Sequence, residues 1–495
     1  MKKLEISLDK PSVSLYNKRR VFYSYHLRKK IYFIKSTERQ NKYMLTFNEF
    51  SSKWKGKRAA VIGIGISNLP LIDFLLSAGV YVNARDKKKK EEIKDAEALL
   101  SKGVNLILGE NYLDDLCEDI IFRTPGMRYD HPALTNAVKN GSYLTSEMQL
   151  FFEMCPARII GITGSDGKTT TTTLISKILE EDGKRVFVGG NIGTPLLPRL
   201  SLMTENDFAV VELSSFQLHT MTVSPEISVI TNISENHIDY HKTMEDYFTA
   251  KLSIISHPEN KRAVLNLSSP YFEREASVSC GDAVTFSSNK DSDVKLKDGA
   301  IYAFGERYLE ICDIKIPGAH NIENYMSTIA ALYGTVKKES VIKVAKTFGG
   351  VEHRCELVRE KDGVKYYNSS IDSSPSRTLA TLGIFNQKII AISGGYDKNL
   401  DYTPLADPLC KKVKAIILTG ATSEKIRSAI LSCPKYSEGK PFIFLAENIK
   451  EAVIKASEIS ESDDIVVLTP ASASFDAFKN FEERGNFYKE CVNAL

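Results

Sequence analysis

From Arg58 onward the chain alternates two patterns. Short unbroken apolar runs, such as Arg58-Ala59-Ala60-Val61-Ile62, are followed by stretches with apolar residues every three or four positions, as in residues 69–76. The first pattern predicts strands and the second predicts amphipathic helices packed on them. Strands are expected at residues 80–84, ending in Arg85-Asp86, then at 106–109, 119–123, 158–162, 185–188, 208–213, 227–233 and 264–267. Four more follow at 365–367, 389–393, 415–418 and 465–469. Helices are expected at 174–179, at 247–252 and from about 316 to about 333. Residues 270–315 read as short strand-like pieces between glycine turns, and the lysine run at 87–90 reads as a solvated helix face. Trp54, the single tryptophan, lies in a polar lead before the first strand. Strands alternating with helices predict an α/β protein with parallel sheets.

Composition refines this picture. A chain of 495 residues is long enough for about three domains, and 43% hydrophobic residues suffice for packed cores. The formal charge of +3 leaves no whole-protein footprint for nucleic acid. The eight cysteines are scattered without a C-x-x-C pair, which predicts reduced thiols in a cytoplasmic protein rather than a disulfide framework. No apolar run reaches the roughly 18 residues of a membrane span. Residues 1–43 stand apart, with twelve Lys and Arg against three Asp and Glu. Their basic and aromatic mixture fits a basic arm, a disordered tail, or an untranslated stretch with Met44 as the true start. The periodic sequence beginning just after Met44 favours the last.

The candidate chemistry centres on Thr163-Gly164-Ser165-Asp166-Gly167-Lys168-Thr169-Thr170, between a predicted strand and a predicted helix. Glycines let backbone N–H groups approach phosphate oxygens, the helix N-terminus adds its positive dipole end, and Lys168 and the Thr169 hydroxyl suit phosphate and Mg²⁺. The loop departs from the strict G-x-x-x-x-G-K-[ST] pattern, because Ile162 occupies the first glycine position. The run Phe208-Ala209-Val210-Val211-Glu212 delivers a carboxylate to a strand's C-terminal end, where it can hold Mg²⁺. His237, just past the strand at 227–233, fits either a metal ligand or a structural histidine. Lys251, on its helix, reads from the residues alone as a surface lysine. Asn321 and Asn324, three apart, share one helix face. Near the start, Gly63-Ile64-Gly65-Ile66 follows a strand, Asp86 ends the next, and Thr124-Pro125-Gly126 is a turn at a third strand's end. Ligands of open α/β sheets bind at that edge, although a lone G-x-G fits a tight turn equally well.

Taken in order, T-G-S-D-G-K-T-T, G-G-N-I-G at 189–193, V-E-L-S-S-F-Q-L at 211–218, N-H-I-D at 236–239, A-K-L at 250–252, H-N-I-E-N at 320–324, E-H-R at 352–354 and the run from Pro470 to Gly485 resemble the Mur ligase family. The last run resembles its D-glutamate-adding branch. The resemblance covers about Met44 to the C-terminus. It implies a Rossmann-like N-terminal domain at 44–146 for the UDP-sugar, a central P-loop-type ATP-binding α/β domain at 147–350, and a C-terminal Rossmann-like α/β domain at 351–495 for the amino acid. It further implies an ATP-dependent, ADP-forming ligase that adds D-glutamate to UDP-N-acetylmuramoyl-L-alanine through an acyl phosphate, in cytoplasmic peptidoglycan precursor synthesis. The protein is expected to be monomeric and free of nucleic acid and membrane insertion. Carried over by position, Gly164 to Thr170 would bind the phosphates of ATP, and Asn321, Asn324 and Arg354 its adenine, ribose and phosphates. Thr169 and Glu212 would hold one Mg²⁺, and His237 and a carbamylated Lys251 a second. Lys168, Glu212, His237 and Lys251 would be catalytic. Gly65, Ile66, Asp86, Gly126 and Asn191 would line the UDP-sugar site, and Lys398, Ser474 and Phe481 would hold D-glutamate.

The chain departs from the family pattern in one segment. Where N-D-S is usual it has Asn368-Ser369-Ser370, so Ser369 lacks the carboxylate expected near the ribose or the phosphates, and Asp372 stands where a small residue is usual. Competing readings are a ligase for another amino acid or a folate, a non-catalytic nucleotide sensor, and a motion-coupled P-loop ATPase. The C-terminal run argues against the first and intact Lys168, Glu212, His237 and Lys251 against the second. The third lacks a Walker-B Asp and leaves the last domain unexplained.

Overall fold

Three separate sheets take up the predicted strands in the computed structural model, which describes residues 44–234, 238–437 and 439–495. Residues 1–43, with the alternatives raised for them, and His237 lie outside the described residues. No helix among the described residues is long and apolar enough to cross a membrane.

The first sheet contains β1 (Arg58–Ile62), β2 (Tyr81–Asp86), β3 (Asn105–Leu108), β4 (Ile120–Phe122) and β5 (Tyr143–Thr145), ordered β3-β2-β1-β4-β5 and parallel throughout. Residues 59–62 of β1 are fully buried, as an unbroken apolar run predicts for a strand covered on both faces. Strand order reverses between β1 and β4, which opens a crevice at their C-terminal ends. The turns after the two strands meet there. A Cβ on Gly63, whose φ is +86°, would sit 3.2 Å from the Thr124 Cβ, so this close approach requires glycine.

The second sheet has nine strands: β6 (Arg158–Thr163), β7 (Val186–Gly190), β8 (Phe208–Glu212), β9 (Ile227–Ile230), β10 (Arg262–Asn266), β11 (Asp282–Ser287), β12 (Val294–Lys297), β13 (Ala300–Ala303) and β14 (Glu306–Glu310). Their order is β14-β13-β12-β11-β10-β9-β6-β8-β7. Only the β12–β13–β14 meander is antiparallel. The helices Lys168–Glu181 and Ala319–Leu332 bring Leu174, Ile178, Tyr325, Met326 and Ile329 into one core with Ile160 and Ile162 of β6. The third sheet, β15 (Glu356–Lys361), β16 (Val364–Asn368), β17 (Ile389–Ser393), β18 (Val413–Leu418), β19 (Phe442–Leu445) and β20 (Ile465–Leu468), is ordered β15-β16-β20-β17-β18-β19. Its edge strand β15 runs antiparallel to the rest.

Four local expectations change. The polar lead is a helix, Phe47–Trp54, closed by a capping box in which Thr46 and Glu49 bond each other's backbone N–H. Residues 270–315 include a helix, Phe272–Val278, beside the expected strands. The lysine run at 87–90 is exposed but forms no α-helix: the chain bends at 87–88, and Lys90 opens a short 3₁₀ turn, Lys90–Glu92. Lys251 is not a surface residue: its side chain is 1% exposed.

Candidate active site

The loop after β6 is shaped by contacts no other residues would tolerate. A Cβ on Gly164, at φ +153°, would fall on the Thr231 hydroxyl, and one on Gly167, at φ +78°, on the Asn324 carboxamide. The loop is therefore wedged between the end of β9 and the helix Ala319–Leu332. Gly167 is the N-cap of Lys168–Glu181 and leaves that helix's first N–H groups facing the loop. The Thr231 hydroxyl donates to the Asp166 carbonyl at 2.5 Å, and Ser165 Oγ bonds the Ser234 carbonyl at 2.9 Å.

Four of the expected site residues converge here. The Lys168 ammonium folds back to donate to the carbonyls of Gly164 (3.0 Å) and Ser165 (2.8 Å). Burial pushes it below its ordinary pKa and Arg354 adds to that, while Glu212 and Asp166 oppose. Thr169 Oγ1 donates to Glu212 Oε2 at 2.8 Å, and Asn191 Nδ2 donates to the other carboxylate oxygen at 2.9 Å. Glu212 is 1% exposed, and among the described residues it forms no ion pair, only these neutral hydrogen bonds. Lys251 Nζ donates to the Gly164 carbonyl at 2.7 Å and lies 4.8 Å from the Tyr247 ring centroid. Burial, aided by Lys168, pushes its amine well below the ordinary lysine pKa.

Asn324 Nδ2 donates to Asn321 Oδ1 at 3.0 Å, so the asparagine pair does share a face, and that face closes on Gly167. Between them a cavity of about 100 Å³ is lined by Asp166, Gly167, Thr231, Asn232, Phe286, His320, Glu323 and Asn324. A larger groove, about 740 Å³, runs between the helices Thr403–Lys412 and Ser423–Leu431 and has no phosphate-loop residue in its wall. The smaller cavity, unlike the groove, has the phosphate-loop residues Asp166 and Gly167 in its wall. Arg354 is exposed, and the charges of Arg377, Glu212, Asp372 and Asp166 act on its guanidinium.

The residues expected at the sugar site gather at the edge of the first sheet. Asp86 Oδ2 accepts the Ile64 N–H at 2.7 Å and Oδ1 the Lys88 N–H at 2.9 Å, so this carboxylate orders the G-x-G turn. Ile66 is 81% exposed above it, and Gly65 and Gly126 have open space where a Cβ would be. Asn191 instead lies beside Glu212, within the central sheet's loops. In the third region Ser474 is buried, Lys398 is exposed with its ammonium 5.3 Å from the Phe475 ring, and the Phe481 carbonyl accepts from Ser370 Oγ at 2.8 Å.

Three structural residues had no distinguishing sequence signal. Arg123, 1% exposed, donates to the carbonyls of Met127 and Phe216 and to Thr220 Oγ1, tying the first sheet to the central one. Arg128 pairs with Asp246 at 2.9 Å across the same boundary, where His219 also bonds Asp246. Arg484 spans the carbonyls of Ser370, Ser472 and Ala473. Each has at least one partner some ninety or more positions away, Phe216 for Arg123, Asp246 for Arg128 and Ser370 for Arg484, beyond the reach of any local pattern.

Residues 57–146 match the model of the Mur ligase MurD-like N-terminal domain, 162–332 the Mur ligase middle domain, and 353–472 the Mur ligase glutamate ligase domain. A UDP-N-acetylmuramoylalanine--D-glutamate ligase of Clostridium acetobutylicum is 47% identical over 457 residues, covering 91% of this chain and 99% of its own. The chain belongs to the Mur ligase family. A ligase of the same name from Ruminiclostridium cellulolyticum is 48% identical over 458 residues, covering 90% of this chain and 98% of its own. Among solved structures, the UDP-N-acetylmuramate-alanine ligase MurC of Thermotoga maritima aligns with a TM-score of 0.53 at 18% identity, over 88% of this chain and 99% of its own. A UDP-N-acetylmuramoyl-L-alanyl-D-glutamate--2,6-diaminopimelate ligase aligns with a TM-score of 0.55 at 16% identity, over 92% and 95%. These two show that the Mur ligase fold is shared.

Proposed function

We propose that this Mur ligase joins D-glutamate to UDP-N-acetylmuramoyl-L-alanine, with cleavage of ATP to ADP and phosphate, as a step in peptidoglycan precursor synthesis. The observation that carries the reading is the convergence of Lys168, Thr169, Glu212 and Lys251 on one loop, in a chain 47% identical to a ligase of that name.

The loop amides and the N-terminus of Lys168–Glu181 cradle the phosphates, and Lys168 turns from the loop carbonyls to the γ-phosphate. The Asn321–Asn324 face and the adjoining cavity take the nucleoside. Glu212 is a buried carboxylate with only neutral donors, and beside the Thr169 hydroxyl it fits a hard cation. Mg²⁺ held there by Thr169 and Glu212, and a second held by His237 and Lys251, would neutralise charge on the triphosphate. Lys251 fits its part because burial lowers its pKa and so favours the neutral amine, the form that adds CO₂ and loses a proton to give a carbamate.

The first-sheet crevice, with Gly65, Ile66, Asp86 and Gly126, binds the UDP-sugar, and Asn191 links the sugar side to Glu212. The substrate carboxylate attacks the γ-phosphate, giving an acyl phosphate and ADP. The D-glutamate amine, presented by Lys398, Ser474 and Phe481, then attacks the acyl carbon and phosphate leaves. Lys398 pairs with an amino-acid carboxylate, and closure of the third domain excludes water from the acyl phosphate. The enzyme works as a cytoplasmic monomer.

Phosphate release from ATP, measured with UDP-N-acetylmuramoyl-L-alanine and a panel of D-glutamate, L-glutamate, glycine, L-lysine and meso-diaminopimelate, tests this reading. Release that requires both the UDP-sugar and D-glutamate is the expected result. Release with another amino acid overturns the specificity, and no release with any of them overturns the ligase.

A further inference from the structure

Asp372 is a buried carboxylate that the steps above leave unused. It is 4% exposed, in the loop that leaves β16 at the C-terminal edge of the third sheet. Its Oδ2 accepts from Thr469 Oγ1 at 2.8 Å, at the end of the neighbouring strand β20. The hydroxyls of Thr381 and Ser369 face it as well. The charges around it are cationic: Arg377 from its own segment, Arg354 from the turn before β15, and Arg484 from the C-terminal helix.

Ser369 connects this carboxylate to the turn that carries Arg354. Its Oγ accepts the Cys355 N–H at 3.3 Å and shares a hydrogen bond with Thr381 Oγ1 at 3.2 Å, while the Asp372 N–H bonds the Ser369 carbonyl at 2.9 Å. Arg354 sits on a strained turn, because its neighbours His353 and Cys355 both have positive φ, 60° and 47°. The loop holds that turn from both sides: the Ile371 N–H donates to the His353 carbonyl at 3.1 Å, and Asn368 Nδ2 meets His353 Nδ1 at 3.0 Å. Arg354 in turn faces Asp166 and Glu212 at the phosphate loop.

We propose that Asp372, acting with Ser369, is the positioning residue that aims Arg354 at the triphosphate, so that the carboxylate absent from position 369 works from position 372 in the same pocket. The inference rests on the ATP-dependent ligase reading and adds a residue to it. Burial raises the pKa of the Asp372 carboxyl, while the hydroxyls of Thr381, Thr469 and Ser369 and the charge of Arg377 oppose that; as a carboxylate it accepts those hydrogen bonds more strongly than the serine it neighbours. The two positions form an exchangeable pair: Ser369→Asp alone crowds two carboxylates, whereas Ser369→Asp with Asp372→Ser restores one.

The test measures the Kd of MgATP by calorimetry and the KM of ATP for the parent, Asp372→Asn, Asp372→Ala and the exchanged double variant. Asp372→Ala and Asp372→Asn are expected to weaken ATP about tenfold in both readouts, with the KM of the UDP-sugar unchanged. The exchanged double variant is expected within about threefold of the parent. A structural role alone would lower the active fraction and leave both ATP constants in place, so unchanged constants in Asp372→Asn overturn the proposal. An exchanged variant no better than Asp372→Ala, or as weak for ATP as Asp372→Asn where the alanine variant does not fold, overturns it too. A parent that binds MgATP without turnover would count against the ligase, while the binding constants would still decide the role of Asp372.

Discussion

Replacing Glu147 with glutamine should make the protein more stable at alkaline pH. Glu147 opens the helix Glu147–Met154, which leads from the first sheet to β6. It is 7% exposed. One carboxylate oxygen has no hydrogen-bond partner and the Leu197 N–H serves the carboxyl group. Burial pushes its pKa up from 4.5 to about 7. At about 1.36 kcal/mol for each tenfold step in proton affinity, holding the ionised form in the fold costs ~3 kcal/mol above pH 7. Its place in the first turn of a helix favours the anion by roughly 0.5–1 kcal/mol, which leaves about 2 kcal/mol. The folded pKa lies above the unfolded one, so the contribution of Glu147 to stability is complete below about pH 4.5 and is lost as pH rises through about 7. Glutamine removes that dependence. Reversible urea unfolding should find Glu147→Gln stabilised by about 2 kcal/mol at pH 8, with the difference shrinking steadily toward pH 5. A variant no more stable than the parent at pH 8, or a difference independent of pH, would refute the reasoning.

Three further outcomes follow from the site. Glu212→Gln should lower kcat at least about a hundredfold with little change in thermal stability, because the amide keeps one bond to Thr169 or Asn191 but loses the charge; steady-state kinetics with varied Mg²⁺ checks this. Arg123→Met strands the buried carbonyls of Met127 and Phe216 and should cost ~3 kcal/mol in urea unfolding, together with a raised KM for the UDP-sugar. Protein stripped of CO₂ should lose activity and regain it with bicarbonate, and ¹³CO₂ labelling should give a carbamate resonance that a Lys251→Arg variant lacks.

The alternation of patterns located the strands that bear the site because they are buried on both faces, and burial on both faces writes an unbroken apolar run. Strands β6, β8 and β9 are of this kind, and Glu212 stands out as the charge that ends one of them. Lys251 was not legible from the residues alone. It occupies a helical position like any surface lysine, and its burial comes from the loop carbonyl of Gly164, 87 positions away in sequence. The helix Phe47–Trp54 carried readable signals in its Thr46-x-x-Glu49 capping box and in Phe47, Phe50 and Trp54, spaced three and four apart. The joint between the first and central sheets depends on Arg123 reaching Phe216 across 93 positions, a pairing that only the fold reveals. The relation between Ser369 and Asp372 became readable once both side chains were placed in one pocket with Thr469 and Arg354.

The central claim, that the substrate carboxylate captures the γ-phosphate before the amine arrives, is tested most directly by isotope. UDP-N-acetylmuramoyl-L-alanine carrying ¹⁸O in its terminal carboxylate is turned over with unlabelled ATP and D-glutamate, and the released phosphate is analysed by mass. An acyl phosphate passes one carboxylate oxygen to phosphorus and leaves the other in the new amide, so the account predicts one ¹⁸O atom in each phosphate. Unlabelled phosphate released during amide formation would contradict it.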